Sequence, residues 1–224
     1  MAKQTEEQRL AEEWLPSREE ATVSTVGLLA IGGLYFVVSD SIGIGPPWLL
    51  FVLESILVAP QVISHVVMRK PLPHRIERSL ALALLAVLAI ALIVSLFRFI
   101  QVLPDYVHGP VLLLDGAILW ILNILVFATG YWELDGGGAR MRHVRPGNRQ
   151  DFLFPQQQLS APVQWKPGFI DYLFLAFCFS TAFSPADTPP LTRGAKLLVM
   201  AQALISLVIA AVIISRAINI LGTK

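Results

Sequence analysis

Along this chain, long runs of apolar residues alternate with short charged or proline-bearing breaks. Five runs, 21–39, 46–67, 79–97, 111–132 and 197–215, approach or exceed the roughly 20 apolar residues that a helix needs to cross a bilayer core. The second opens on Pro46-Pro47-Trp48, a helix start with an interfacial tryptophan. It also holds Pro60, which removes a backbone hydrogen bond and predicts a kink. A further apolar stretch, 169–184, has an aromatic-rich helical part over 169–180 and then meets Ser184-Pro185-Ala186-Asp187-Thr188-Pro189-Pro190, which cannot continue a helix. A helix this short is expected to be buried or re-entrant, with a short sixth span as the alternative.

The pattern therefore predicts an all-α, multi-pass transmembrane bundle of five spans plus a re-entrant helix, or of six spans. It divides into an N-terminal amphipathic helix (1–20), a four-span bundle (21–132), a polar connecting loop (133–168) and a module ending in the last span (169–224). In the first segment Leu10, Trp14 and Leu15 share one side among Glu6, Glu7, Arg9, Glu12 and Glu13. Such a tail either lies on lipid headgroups or is solvated.

Composition agrees, since 55% of residues are hydrophobic and only 15% charged. The net charge of +1 lacks the basic excess of a nucleic-acid-binding surface. A single cysteine, Cys178, excludes an internal disulfide and a Cys-based zinc site. The first twenty residues are charged throughout, so no cleavable signal peptide is expected and the first run stays as a span. His65, His74, His108 and His143 are scattered without metal-ligand spacing. No nucleophile has a base beside it, so neither enzyme activity nor a cofactor is expected. The run Trp132-Glu-Leu-Asp-Gly-Gly-Gly138 is followed by no Gly-Lys-Ser/Thr, and reads as a turn ending the fourth helix rather than a phosphate loop.

Charge also predicts orientation. Arg69, Lys70, Arg75 and Arg78 follow the second span, and Arg140, Arg142, Arg145 and Arg149 follow the fourth. Two spans separate the groups, so they share a side, while loops 40–45 and 101–110 hold no lysine or arginine. The positive-inside rule places the N-terminus and both basic loops in the cytoplasm, in a plasma (inner) membrane. Within the spans, Glu54, Arg98 and Asp115 are costly in hydrocarbon and need partners or water. At 1.5 Å per residue all three fall toward one membrane face. One arrangement sets Arg98 between the two carboxylates. In the other, Arg98 snorkels to the interface and Asp115 caps the fourth helix.

The segment from Asp171 through Tyr172-Leu-Phe-Leu-Ala-Phe-Cys-Phe-Ser180 to Pro190-Leu-Thr192, with the span that follows, resembles a potassium-channel pore module: pore helix, filter, inner helix. It is also similar to bacterial channel-like membrane proteins whose pore loop lacks glycines. The likeness covers about fifty C-terminal residues. In the potassium-channel family an aromatic pore helix leads into Thr-Val-Gly-Tyr-Gly-Asp. Here Thr181 stands near the filter's first threonine, Asp187 at its closing aspartate, and Pro190 and Thr192 at the residues after it. Gln202-Ala203-Leu204 falls where the inner helix often reads Glu-Ala-Leu.

The departure lies at the filter, since Ala182-Phe183-Ser184-Pro185-Ala186 has no glycine to turn its carbonyls inward. What remains is Ser180, Thr181 and Ser184 hydroxyls, the Asp187 carboxylate and the negative end of the helix dipole, a set that favours cations without strong selectivity. Phe183 alternatively forms a hydrophobic gate. The resemblance implies a homo-tetramer in the lipid bilayer, passing monovalent cations, because one loop encloses nothing alone. Its orientation conflicts with the charge rule, because potassium-channel loops enter from outside and the loop feeding this one is predicted cytoplasmic. The competing expectation is a small-solute transporter or non-conducting accessory protein using Glu54, Arg98 and Asp115.

Overall fold

The computed structural model describes residues 18–38, 42–43, 45–64, 72–102, 109–138, 141–142, 150–158, 165–181 and 187–222. The expected N-terminal helix, up to residue 17, lies outside them, as do His65, His108 and His143. Six helices organise the rest: α1 (Arg18–Tyr35), α2 (Trp48–Val62), α3 (His74–Val102), α4 (Gly109–Leu134), α5 (Phe169–Ser180) and α6 (Arg193–Gly222). One helical turn, Pro155–Gln158, interrupts the connection between α4 and α5. No strand forms among the described residues beyond an isolated bridge between Phe152 and Pro190.

Among the described residues three helices are long and apolar enough to cross a membrane: Arg75–Val102, Val111–Gly137 and Arg193–Ile218. They correspond to the third, fourth and last expected spans. In the first two expected spans the helices are Arg18–Tyr35, which ends four residues before its apolar run does, and Trp48–Val62. Pro60 sits in the last turn of α2, which ends two residues later. The coarse expectation of an all-helical, membrane-type protein therefore holds.

The bundle has two ends, fixed by contacts between helix termini. Arg78, one turn into α3, donates to the Glu133 carbonyl in the last turn of α4. Arg98, near the other end of α3, donates to the Gly43 carbonyl between α1 and α2. Consecutive helices α1 to α4 thus run alternately between a Gly43 end and an Asp135 end. α6 starts at the Asp135 end, through Thr192 and Asp151, and runs antiparallel to α4 until its Ile213 meets Gly116.

α4 is the central helix, packed by α3, α5, α6 and α1. Of its span 56% is buried, against 33% for that of α3 and 17% for that of α6. Polarity follows position: α4 and α6 carry Asn123, Gln202 and Ser206 inside, while α6 shows Leu197, Met200, Leu204 and Leu207 outside. Outward apolar side chains on this scale are rare in water-soluble monomers and suit hydrocarbon. Toward the Gly43 end the core is mostly aliphatic, including Ile31, Leu88, Leu119 and Leu122, with Tyr35 and Phe99 among them. Toward the Asp135 end it is aromatic, with Tyr131, Phe152, Phe154, Phe169 and Tyr172 packed edge to face.

Candidate functional site

α5 decides the architecture. Its first residue, Phe169, stacks edge-on against Trp132 near the end of α4, at 5.7 Å between ring centroids. Its N-terminus is closed by Asp171, whose carboxylate accepts the Gly168 N–H at 2.8 Å. The helix stops at Ser180 after twelve residues, about 18 Å. Ser180 Oγ lies 2.9 Å from Ser206 Oγ, thirteen residues into α6 and so at its middle. Asn123, midway along α4, donates to the same Ser206 hydroxyl at 2.6 Å. The chain is back at the Asp135 end by Pro189, where Leu153 N–H reaches the Pro189 carbonyl at 3.3 Å. α5 therefore begins at the Asp135 end and stops beside the middle of α6, and by Pro189 the chain is again at the Asp135 end.

Two polar layers hold α5 in place. The inner layer lies between α4, α5 and α6. Gln202, fully buried, donates to the Ala176 carbonyl at 2.7 Å and accepts the Tyr131 hydroxyl at 2.6 Å. Polar side chains inside an apolar bundle find partners because no water competes.

The outer layer is a hub at the Asp135 end. The apolar run of α4 meets Asp135-Gly136-Gly137-Gly138, which closes it with a short 3-10 turn. Gly136, Gly137 and Gly138 have φ of 58°, 86° and 99°, a left-handed region costly for residues with a Cβ. This is the helix-ending turn the sequence predicts. What the sequence did not disclose is how the turn is used. Asp135 accepts the Tyr172 hydroxyl of α5 and the Asp151 N–H at 2.6 Å. Asp151 in turn accepts the Gly136 N–H at 3.1 Å and the Thr192 hydroxyl at 2.5 Å, while Thr192 Oγ1 accepts the Ala195 N–H as the N-cap of α6. One carboxylate pair thus ties the end of α4 to the starts of α5 and α6.

Two arginines complete the hub. Arg142 donates to the Trp132 and Asp135 carbonyls, each at 2.7 Å, and its guanidinium stands 5.0 Å from the centre of the Tyr172 ring. With Arg78 on the Glu133 carbonyl, two cations meet carbonyls at the negative end of the α4 dipole. Arg78 and Arg142 belong to the two basic segments, so their meeting here agrees with the expectation that both lie on one side.

The sequence-predicted residues are dispersed. Ser180 is engaged with Ser206 inside the helix seam, and Thr181 Oγ1 bonds back to the Phe177 carbonyl at 3.0 Å. Ala182, Phe183, Ser184, Pro185 and Ala186 lie outside the described residues, and Asp187 is exposed. The arrangement of Arg98 between two carboxylates is not formed on the Glu54 side. Glu54 is fully buried, its carboxylate packed against the Gly32 backbone in the gap left by that residue's missing side chain. Arg98 reaches the Gly43 carbonyl at the bundle's end instead, where its long side chain extends out of the apolar region. Asp115 is buried on α4.

Asn123, Gln202 and Ser206 carried the one available sequence signal, that of isolated polar residues inside apolar runs. Compared with known proteins, the chain matches no family model, no curated protein and no solved structure.

Proposed function

We propose that this chain is a channel-like subunit of a plasma (inner) membrane, with α1, α2, α3, α4 and α6 crossing and α5 re-entrant, assembling as a homo-tetramer. The path of α5 carries the reading: a half-length helix entering and leaving at one end, with its carbonyl terminus aimed at mid-depth. That terminus bears the negative end of a helix dipole, which favours cations. The constriction is the Ser180–Asp187 stretch that follows this terminus, with Ser184 and Asp187 as its polar groups beyond the engaged Ser180 and Thr181. Outward Ile170, Phe174 and Phe177 on α5 supply an apolar face for neighbouring subunits. Arg78 and Arg142 at the Asp135 end put that end and the N-terminus in the cytoplasm under the positive-inside rule. The loop then enters from the cytoplasmic side, opposite to the potassium-channel arrangement. Mass measurement in nanodiscs and cation flux in liposomes test this together. A fourfold assembly whose monovalent-cation flux changes with Asp187→Asn and Ser184→Ala is expected, and a strictly monomeric particle would overturn it.

A second reading, a monomeric solute carrier or accessory protein, is favoured by Glu54, because an ionisable side chain fully buried within an apolar bundle of this kind marks a functional site by default. A monomer whose solute uptake is abolished by Glu54→Gln would select it.

A further inference from the structure

The outer surface of the bundle carries a groove of 260 Å³ between α3, α4 and α6. Leu82, Ala86 and Ile93 of α3 face Gly130 and Leu134 of α4, with Leu198 of α6 at the side. Leu82, Ala86 and Ile93 are exposed, so the groove opens to the surroundings of the bundle. Its walls present carbon: the Tyr131 hydroxyl that borders it is turned away onto Gln202. Small residues create the space. A Cβ placed on Gly130 would meet only Leu85 at 3.5 Å, an ordinary contact, so a larger side chain there grows into the groove and not into backbone.

Length and position identify the occupant. On α3 the groove runs from Leu82 to Ile93, about 16 Å. On α4 it runs from Val126 to Leu134, about 12 Å. It begins at the Asp135 end and stops at mid-bundle. A bilayer core is about 30 Å thick, so the groove matches the depth of one leaflet. A crossing helix from a second copy would need an uninterrupted face through both leaflets, whereas one acyl chain needs only this half. Above it, Arg75 stands seven residues before Leu82 and fourteen before Ala89, so all three share one face of α3. Arg75 is exposed, and Arg78 one turn on is only half-buried.

We propose that this groove binds one acyl chain of an anionic phospholipid, with Arg75 at the headgroup phosphate. The proposal rests on the chain lying in a bilayer and is independent of whether it conducts ions. The full-length protein, delipidated in mild detergent, is titrated with phosphatidylglycerol or phosphatidylcholine while bound lipid is counted by native mass spectrometry. Wild type is expected to retain phosphatidylglycerol with a preference of roughly fivefold, the effect of about one arginine at a headgroup. Arg75→Gln should remove the preference and keep the binding. Gly130→Leu should remove the binding, and Ala86→Leu, at an exposed position, provides the same test should the first variant fold poorly. Equal binding of both lipids by wild type would reduce the site to ordinary annular lipid and overturn the headgroup assignment. Unchanged lipid binding in folded Ala86→Leu would overturn the groove. So would efficient oxidative dimerisation of Ala86→Cys in a Cys178→Ser background, which would assign the groove to a second copy.

Discussion

Replacing Gln202 with leucine strikes the tie that holds the re-entrant helix at mid-depth. The glutamine spans two neighbours, donating to the Ala176 carbonyl of α5 at 2.7 Å and accepting the Tyr131 hydroxyl of α4 at 2.6 Å. Leucine fills similar volume, so cavity formation contributes little. The loss is one hydrogen bond to α5 and a Tyr131 hydroxyl buried without its acceptor, together about 2 kcal/mol. For a chain of this size that lowers the unfolding midpoint by about 4–8 °C.

Cys178 supplies the assay. It is the chain's single cysteine, buried on α5 two residues from Ala176, so reaction with a thiol-reactive fluorophore reports loss of α5 packing during a thermal ramp. Tyr131→Phe alone leaves the Gln202 oxygen without its donor. The double variant removes both polar ends, and should cost less than the sum of the singles by about 0.6–1.7 kcal/mol, the range for such bonds inside membrane proteins. Strict additivity would mean that the Tyr131–Gln202 contact does not hold the seam, and the account of how α5 is anchored would be wrong.

Three further perturbations separate the other contacts. Gly32→Ala drives a Cβ into the Glu54 carboxylate and to 3.2 Å from the Phe51 Cα; a loss of about 1–3 kcal/mol is expected, partly restored by Glu54→Ala and read from the same thermal ramp. Tyr172→Phe removes the hydroxyl that Asp135 accepts and should cost about 1–3 kcal/mol, with faster labelling of Cys178 below the midpoint as α5 loosens at its start. Arg142→Ala takes donors from the Trp132 and Asp135 carbonyls together with the cation over Tyr172. Limited proteolysis near 139–149 should accelerate, and an unchanged rate would mean that the hub does not depend on this arginine.

The apolar pattern alone carried the helical class, the positions of the three long helices, and the turn that ends α4. These depend on run length and on glycine's backbone freedom, both local properties of the sequence. The spacing of the basic segments likewise placed Arg78 and Arg142 on one side, because counting passes requires no knowledge of packing. The charge cluster was not legible in the same way. Depth along a span says how far Glu54 and Arg98 lie from an end, but not that Gly32 leaves a gap for the carboxylate or that the Gly43 carbonyl stands within reach of the guanidinium.

The path of α5 was the question the apolar pattern left open, since a twelve-residue helix is compatible with dipping or with crossing. Only tertiary contacts bring Ser180 to Ser206 at mid-depth and Thr192 back to Asp151. Asp135, Asp151 and Thr192 are far apart in sequence and unremarkable in composition. Hydrogen-bond partners are chosen by where helix ends meet, and that meeting is a property of the packed bundle rather than of any segment in it.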